Sequence, residues 1–137
     1  MLFAGSVQFA SASVSSLEKD TAKINQEVRK LNKKILDLQT ELAEVQKRLP
    51  ERETAVEQAT SESNKAQEKS RKTAVNAVGG DSGDARKAAK AARRAANQTS
   101  DAEEASKKLE RDQKKIKEIE KDIEKAQQKI AKLQEEE

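Results

Sequence analysis

The sequence predicts an all-α protein folded as one long antiparallel coiled-coil helical hairpin, and three observations predict it. Two apolar runs keep the same step. The first is Ile24, Val28, Leu31, Ile35, Leu38, Leu42, Val45 and Leu49, and the second is Leu109, Ile116, Ile119, Ile123, Ala126, Ile130 and Leu133. Alternating steps of four and three, averaging about 3.5 residues, mark a coiled-coil seam. Between the runs lies Gly79-Gly80-Asp81-Ser82-Gly83, which holds three of the four glycines. Folded at that point, the two runs mirror each other layer by layer.

Composition agrees with this reading. The 137 residues are 39% charged, 34% hydrophobic and 1% aromatic. A globular core draws on more large side chains than that. High charge with low hydrophobicity also marks disorder, but a disordered chain has no reason to keep its apolar residues in register. Cysteine and histidine are absent. Disulfides, thiolate nucleophiles, Cys/His metal sites and the usual proton-transfer side chain near neutral pH are thereby excluded.

From the N-terminus, residues 1–27 read as an overhang. Leu2 to Phe9 followed by Ala10-Ser11-Ala12 has the small-x-small look of a cleaved signal, but the basic leading segment is missing. The seam also runs backwards without losing step through Thr21, Leu17, Val14, Ala10, Val7 and Phe3. A helical extension is therefore the preferred reading over a signal remnant. No apolar stretch is long enough to span a bilayer.

The first helix is expected from about residue 13 to 78. Pro50 removes one backbone hydrogen bond and crowds the preceding turn, which predicts a kink or a fresh helix start. Thr60 to Asn64 and Asn97 to Asp101 lie at one level, and such residues prefer caps and turns, so the hairpin is expected to loosen there. The turn is placed at 79–83, with Gly79 closing the first helix in the left-handed conformation. Ser82 or Asp84 is expected to cap the second helix, which should run from about 84 to 135. So short a turn makes the helices antiparallel neighbours.

Residues 28–137 therefore form the hairpin, and its register can be read directly. Opposed residues have numbers summing to 164 or 165: Val56 meets Leu109, Leu49 meets Ile116, and Ala77 meets Ala88. Arg52 and Asp112 each break the seam, and this register sets them face to face. A lone charge in the seam is strongly destabilising, whereas an opposed pair is roughly neutral in stability and fixes the register. Large apolar residues seal the open half; Ala, Ser and Thr seal a basic, Ala-rich tip at about 62–98. The tip should be helical by propensity yet easily opened.

Two surfaces bear on function. Arg86, Lys87, Lys90, Arg93 and Arg94 lie in a stretch with no acid, residues 85–98, and form a candidate anion-binding tip. Phe3, Val7, Val14, Leu17 and Ile24 form an apolar stripe that the register leaves without a partner, a candidate oligomer contact. In length, hairpin form and composition the chain resembles the helical-hairpin stalk proteins of flagellar and type III export machines. That resemblance implies a structural task and carries over no residue roles.

The expected function is therefore non-enzymatic: a structural or assembly coiled coil acting as spacer, scaffold or adaptor. It is expected to self-associate or to join another coiled-coil protein, without metal or cofactor. The acidic residues are spread along solvated helix faces, a poor setting for acid–base pairs. The alternative is a binding arm whose basic tip contacts nucleic acid or another polyanion. The lack of aromatics to stack on bases makes nucleic acid the less favoured partner.

Overall fold

The computed structural model describes the backbone of residues 2–135 and the side chains of residues 20–135. It contains two helices, α1 (Leu2–Ala77) and α2 (Ser82–Glu135), joined by a four-residue turn, residues 78–81. The protein is an all-α helical hairpin, with no strand among the described residues. α1 begins at Leu2, well before the expected position 13, which matches the backward continuation of the apolar step to Phe3.

From Ile24 onward, the residues withdrawn from solvent on α1 fall at 24, 28, 31, 35, 38, 42, 45, 49, 52 and onward in the same step to 77. On α2 they fall at 84, 88, 91, 95 and onward in that step to 133. Only Glu41, Thr99 and Ser106 are withdrawn in addition among the described residues. The seam is thus unbroken where apolar residues give way to polar ones. There the seam buries alanine methyl groups, Ala95 among them, beside small polar side chains.

The chain divides into two units, Met1–Ala43 with Glu118–Glu137, and Glu44–Lys117. The first is sealed by branched side chains: Ile35 and Ile119 are buried, with Ala126 between larger neighbours in the sequence pattern. Fully burying such a side chain stabilises by about 1.5–3 kcal/mol. The second unit contains Val45, only 1% exposed, then Arg52 and Asp112. Its seam continues in Ala59, Ser63, Ala66, Ser70, Thr73 and Ala77 on α1, and in Ala88, Ala91 and Ala95 on α2.

At the turn, Gly79 takes φ +78°, the left-handed conformation that closes a helix. The Val78 N–H donates to the Val75 carbonyl at 3.2 Å and the Gly80 N–H to the Ala77 carbonyl at 3.1 Å. A side chain on Gly80 would overlap the Asp84 carboxylate. The cap of α2 differs from expectation. Asp81, not Ser82 or Asp84, is the capping residue: its Oδ1 accepts from the Asp84 N–H at 2.9 Å. Asp84 Oδ2 accepts in return from the Asp81 N–H at 3.4 Å. This is a reciprocal capping box built from two aspartates, three residues apart. The helix starts earlier because Asp81 can be served at both ends of that exchange.

Two other expectations need correction. Pro50 is exposed and lies inside α1, so the expected fresh helix start does not occur there. The Thr60–Asn64 and Asn97–Asp101 level stays helical on both strands. The hydroxyls of Ser63 and Thr99 bond each other across the seam, and Thr99 also donates to the Ala95 carbonyl, so these two do not compete with the backbone ladder.

Candidate functional site

Two polar layers and one groove distinguish the unit formed by residues 44–117. In the first layer, Asp112 sits on the seam with its side chain 10% exposed. Arg52 Nε donates to Asp112 Oδ2 at 3.1 Å, and Arg48 Nη2 donates to Oδ1 at 3.2 Å. Each carboxylate oxygen thus has its own guanidinium. The arginines are far wetter, at 35% for Arg52 and 44% for Arg48. Burial pushes the Asp112 carboxyl up, but the hydrogen bonds from Arg52 and Arg48, with their charges, outweigh it and hold its pKa below the ordinary value. Arg52 was singled out by the sequence because it interrupts the seam. Arg48 was missed; it lies beside the seam, one turn before Arg52, where a long side chain can still reach the same carboxylate.

The second layer was also missed. Ser63, 5% exposed, has its hydroxyl 3.0 Å from that of Thr99. Gln67 Nε2 donates to Thr99 Oγ1 at 3.0 Å, and Thr99 itself donates to the Ala95 carbonyl at 2.9 Å. Every buried side-chain N or O among the described residues has a partner. The signal was present in the sequence, since residues 63 and 99 are nearly opposed in the mirror register. Both layers fall within about one helical turn of that register.

Beside the turn, both helices contribute to a groove of about 660 Å³. Lys65 and Lys69 of α1 and Lys87, Lys90 and Arg94 of α2 line it, against a single acid, Glu62. Ala66, Ala91 and Thr73 form its apolar and small-residue part, and Gln98 lies at its far end. The convergence follows from the seam. Each of these five cations immediately precedes a seam position: 66, 70, 88, 91 and 95. Antiparallel pairing sets the residues preceding the seam on both helices along one edge, and those following it along the other. The opposite edge carries Ala74, Ala85, Ala89, Ala92 and Ala96, with Arg71 its one cation between residues 64 and 96. The tip is therefore cationic on one edge and nearly neutral on the other.

Of the five tip cations singled out from sequence, the structure brings Lys87, Lys90 and Arg94 together, and adds Lys65 and Lys69. Arg86 and Arg93 are exposed and do not line the groove. Of the apolar stripe, Ile24 is half-buried. Phe3, Val7, Val14 and Leu17 fall outside the residues whose side chains are described. Among the described residues no group of acids is placed to hold a metal ion, and no helix is long and apolar enough to cross a membrane.

The fold and these features define an antiparallel two-helix coiled coil with polar layers in its seam and a cationic groove beside its turn. No family model matches the chain, and no curated protein or solved structure is significantly similar to it.

Proposed function

We propose that the protein is a non-enzymatic structural or assembly element, a coiled-coil spacer, scaffold or adaptor that joins a second copy of itself. The burial pattern supports this reading. The chain commits its withdrawn residues to one interhelical seam and leaves its other described faces exposed. Phe3, Val7, Val14 and Leu17 continue the step of that seam in the sequence, and they are the surface through which two copies would associate.

Sedimentation equilibrium with circular dichroism tests this. The expected result is a strongly helical protein with the mass of a defined oligomer, reduced to a monomer by deleting residues 1–25. A monomer both with and without those residues overturns self-association. A second reading is favoured by the groove: the turn end is a binding arm for an anionic partner. It is compatible with the first, because the two readings use different residues of the chain.

A further inference from the structure

We propose that the groove beside the turn binds the phosphodiester backbone of a nucleic acid strand without reading its bases. This rests on the reading of the turn end as an anion-binding arm and names its partner. Residues 62–98 hold nine Lys/Arg against four Asp/Glu, an excess larger than the +3 of the whole chain. Two of those acids, Asp81 and Asp84, are engaged in the capping box. A third, Glu68, pairs with Lys72 at 3.6 Å. The lining cations thus face a partner with little internal competition.

Their number and layout suit a linear polyanion. In the mirror register Lys87 lies level with residue 77, so the five cations from Lys65 to Lys87 cover about 18 Å of helix axis. One strand of a duplex carries a phosphate about every 3.4 Å of duplex axis, and because the strand winds about that axis, only those phosphates on its facing side meet the trough at once. The groove is a trough with cations on both rails, which suits one linear polyanion laid along it. An acidic helix of a second copy is a poorer match. It carries no condensed counterions whose release would drive binding. Residues 62–98 contain no aromatic side chain. Bases therefore have no stacking platform there, and binding should be indifferent to sequence.

Fluorescence anisotropy with the full chain tests the proposal, using two labelled oligonucleotides of unrelated sequence, each single-stranded and duplex. Similar affinity for both sequences is expected. Between 50 and 200 mM salt, affinity should fall roughly a hundredfold for single strands and several hundredfold for duplex if all five cations contact phosphates. Lys65→Glu with Lys69→Glu should lower affinity at least about tenfold and reduce the salt slope by about two. Arg86→Glu with Arg93→Glu makes the same change in net charge off the groove and should leave the slope unchanged. Circular dichroism must show native helicity in both variants; an unfolded Lys65/Lys69 variant is replaced by Lys65→Gln with Lys69→Gln, which should lower the slope equally.

Equal losses in the two charge-matched variants would mean diffuse attraction and overturn the groove. Binding of long-chain polyphosphate but of no oligonucleotide at 50 mM salt overturns the nucleic acid assignment while the anion-binding arm stands. Binding of neither overturns both. No oligonucleotide binding, together with self-association that Lys65→Glu with Lys69→Glu abolishes, assigns the groove to a second copy instead.

Discussion

The seam is built from two materials, and the contrast between them explains what each region can do. Around Ile35 and Ile119 the space between helices is filled by branched side chains. Around Ala66, Ala91 and Ala95 it is filled by methyl groups and hydroxyls. The first region gains adhesion from buried apolar area. The second gains little, and its helices are kept in register by hydrogen bonds between Ser63, Gln67 and Thr99. Small seam residues also leave a trough between the flanking lysines, which large ones would fill. The property that weakens the tip is thus the property that builds its groove.

The largest effect expected is in the apolar region. Ile119→Ala removes a side chain 4% exposed and should destabilise by about 2–4 kcal/mol in urea unfolding. Ser70→Ala, half-buried in the tip seam, should change stability by no more than about 0.5 kcal/mol. Comparable losses at the two sites would erase the distinction between the regions.

Next comes the charged layer. Arg48→Ala with Arg52→Ala leaves the buried Asp112 carboxylate without either donor and should destabilise by about 1–3 kcal/mol at neutral pH. The partial exposure of both arginines keeps this below the figure for a fully buried pair. The sign of the pH dependence should also invert. In the native protein the lowered Asp112 pKa means that the unfolded chain takes up the proton first as pH falls. Its contribution is therefore complete above the ordinary value of 3.8 and is lost as pH drops through the lowered folded value. Without the arginines, burial alone acts and raises the folded pKa. The Asp112 contribution then declines as pH rises through that raised value. Urea midpoints measured from about pH 3 to about pH 6 would read the difference. A variant with the native pH profile would mean that the arginines do not set this carboxylate.

Most of the fold was legible because the seam is a repeating signal, and repetition averages out local exceptions. Arg52 and Asp112 were legible for the opposite reason: each interrupts the repeat at mirrored positions. What escaped was chemistry carried by flexible or ambiguous side chains. Arg48 sits off the seam, and only its long side chain brings it to Asp112. Ser63 and Thr99 are turn-formers by propensity, and tertiary pairing overrode that preference. Lys65 and Lys69 were legible as added charge at heights similar to the acid-free stretch 85–98, but not as lining one groove with Lys87, Lys90 and Arg94. Membership of the groove required the edge that precedes the seam; Arg86 and Arg93, in the densest charge, lie off it, and Lys72, which is on it, pairs with Glu68 instead.

The turn tests whether the tip opens first. Gly79→Ala puts a Cβ into a left-handed conformation with nothing within 4 Å of it, so its effect is conformational, about 1–2 kcal/mol. Asp81→Ala removes the cap of α2 and should destabilise by about 1 kcal/mol. Hydrogen exchange should show both losses concentrated at amides near residues 70–95. Faster exchange spread evenly to residues 30–40 and 120–130 would mean that the hairpin opens as one unit.

The smallest effect separates register from adhesion. Ser63→Ala deletes one hydroxyl of the second polar layer, but Thr99 keeps its bonds with Gln67 and the Ala95 carbonyl. It removes the bond with Thr99 and a long one, 3.4 Å, from Gln67 Nε2, and the loss should be about 1 kcal/mol. Thr99→Val removes the acceptor of both Ser63 and Gln67 and should be somewhat worse. If the layer acts through the Ser63–Thr99 contact, the double variant should be less damaging than the two single losses added together, because the second change finds that one shared bond already broken. Strict additivity would mean that the two hydroxyls act separately. The tip would then be aligned by the turn and the Asp112 layer alone.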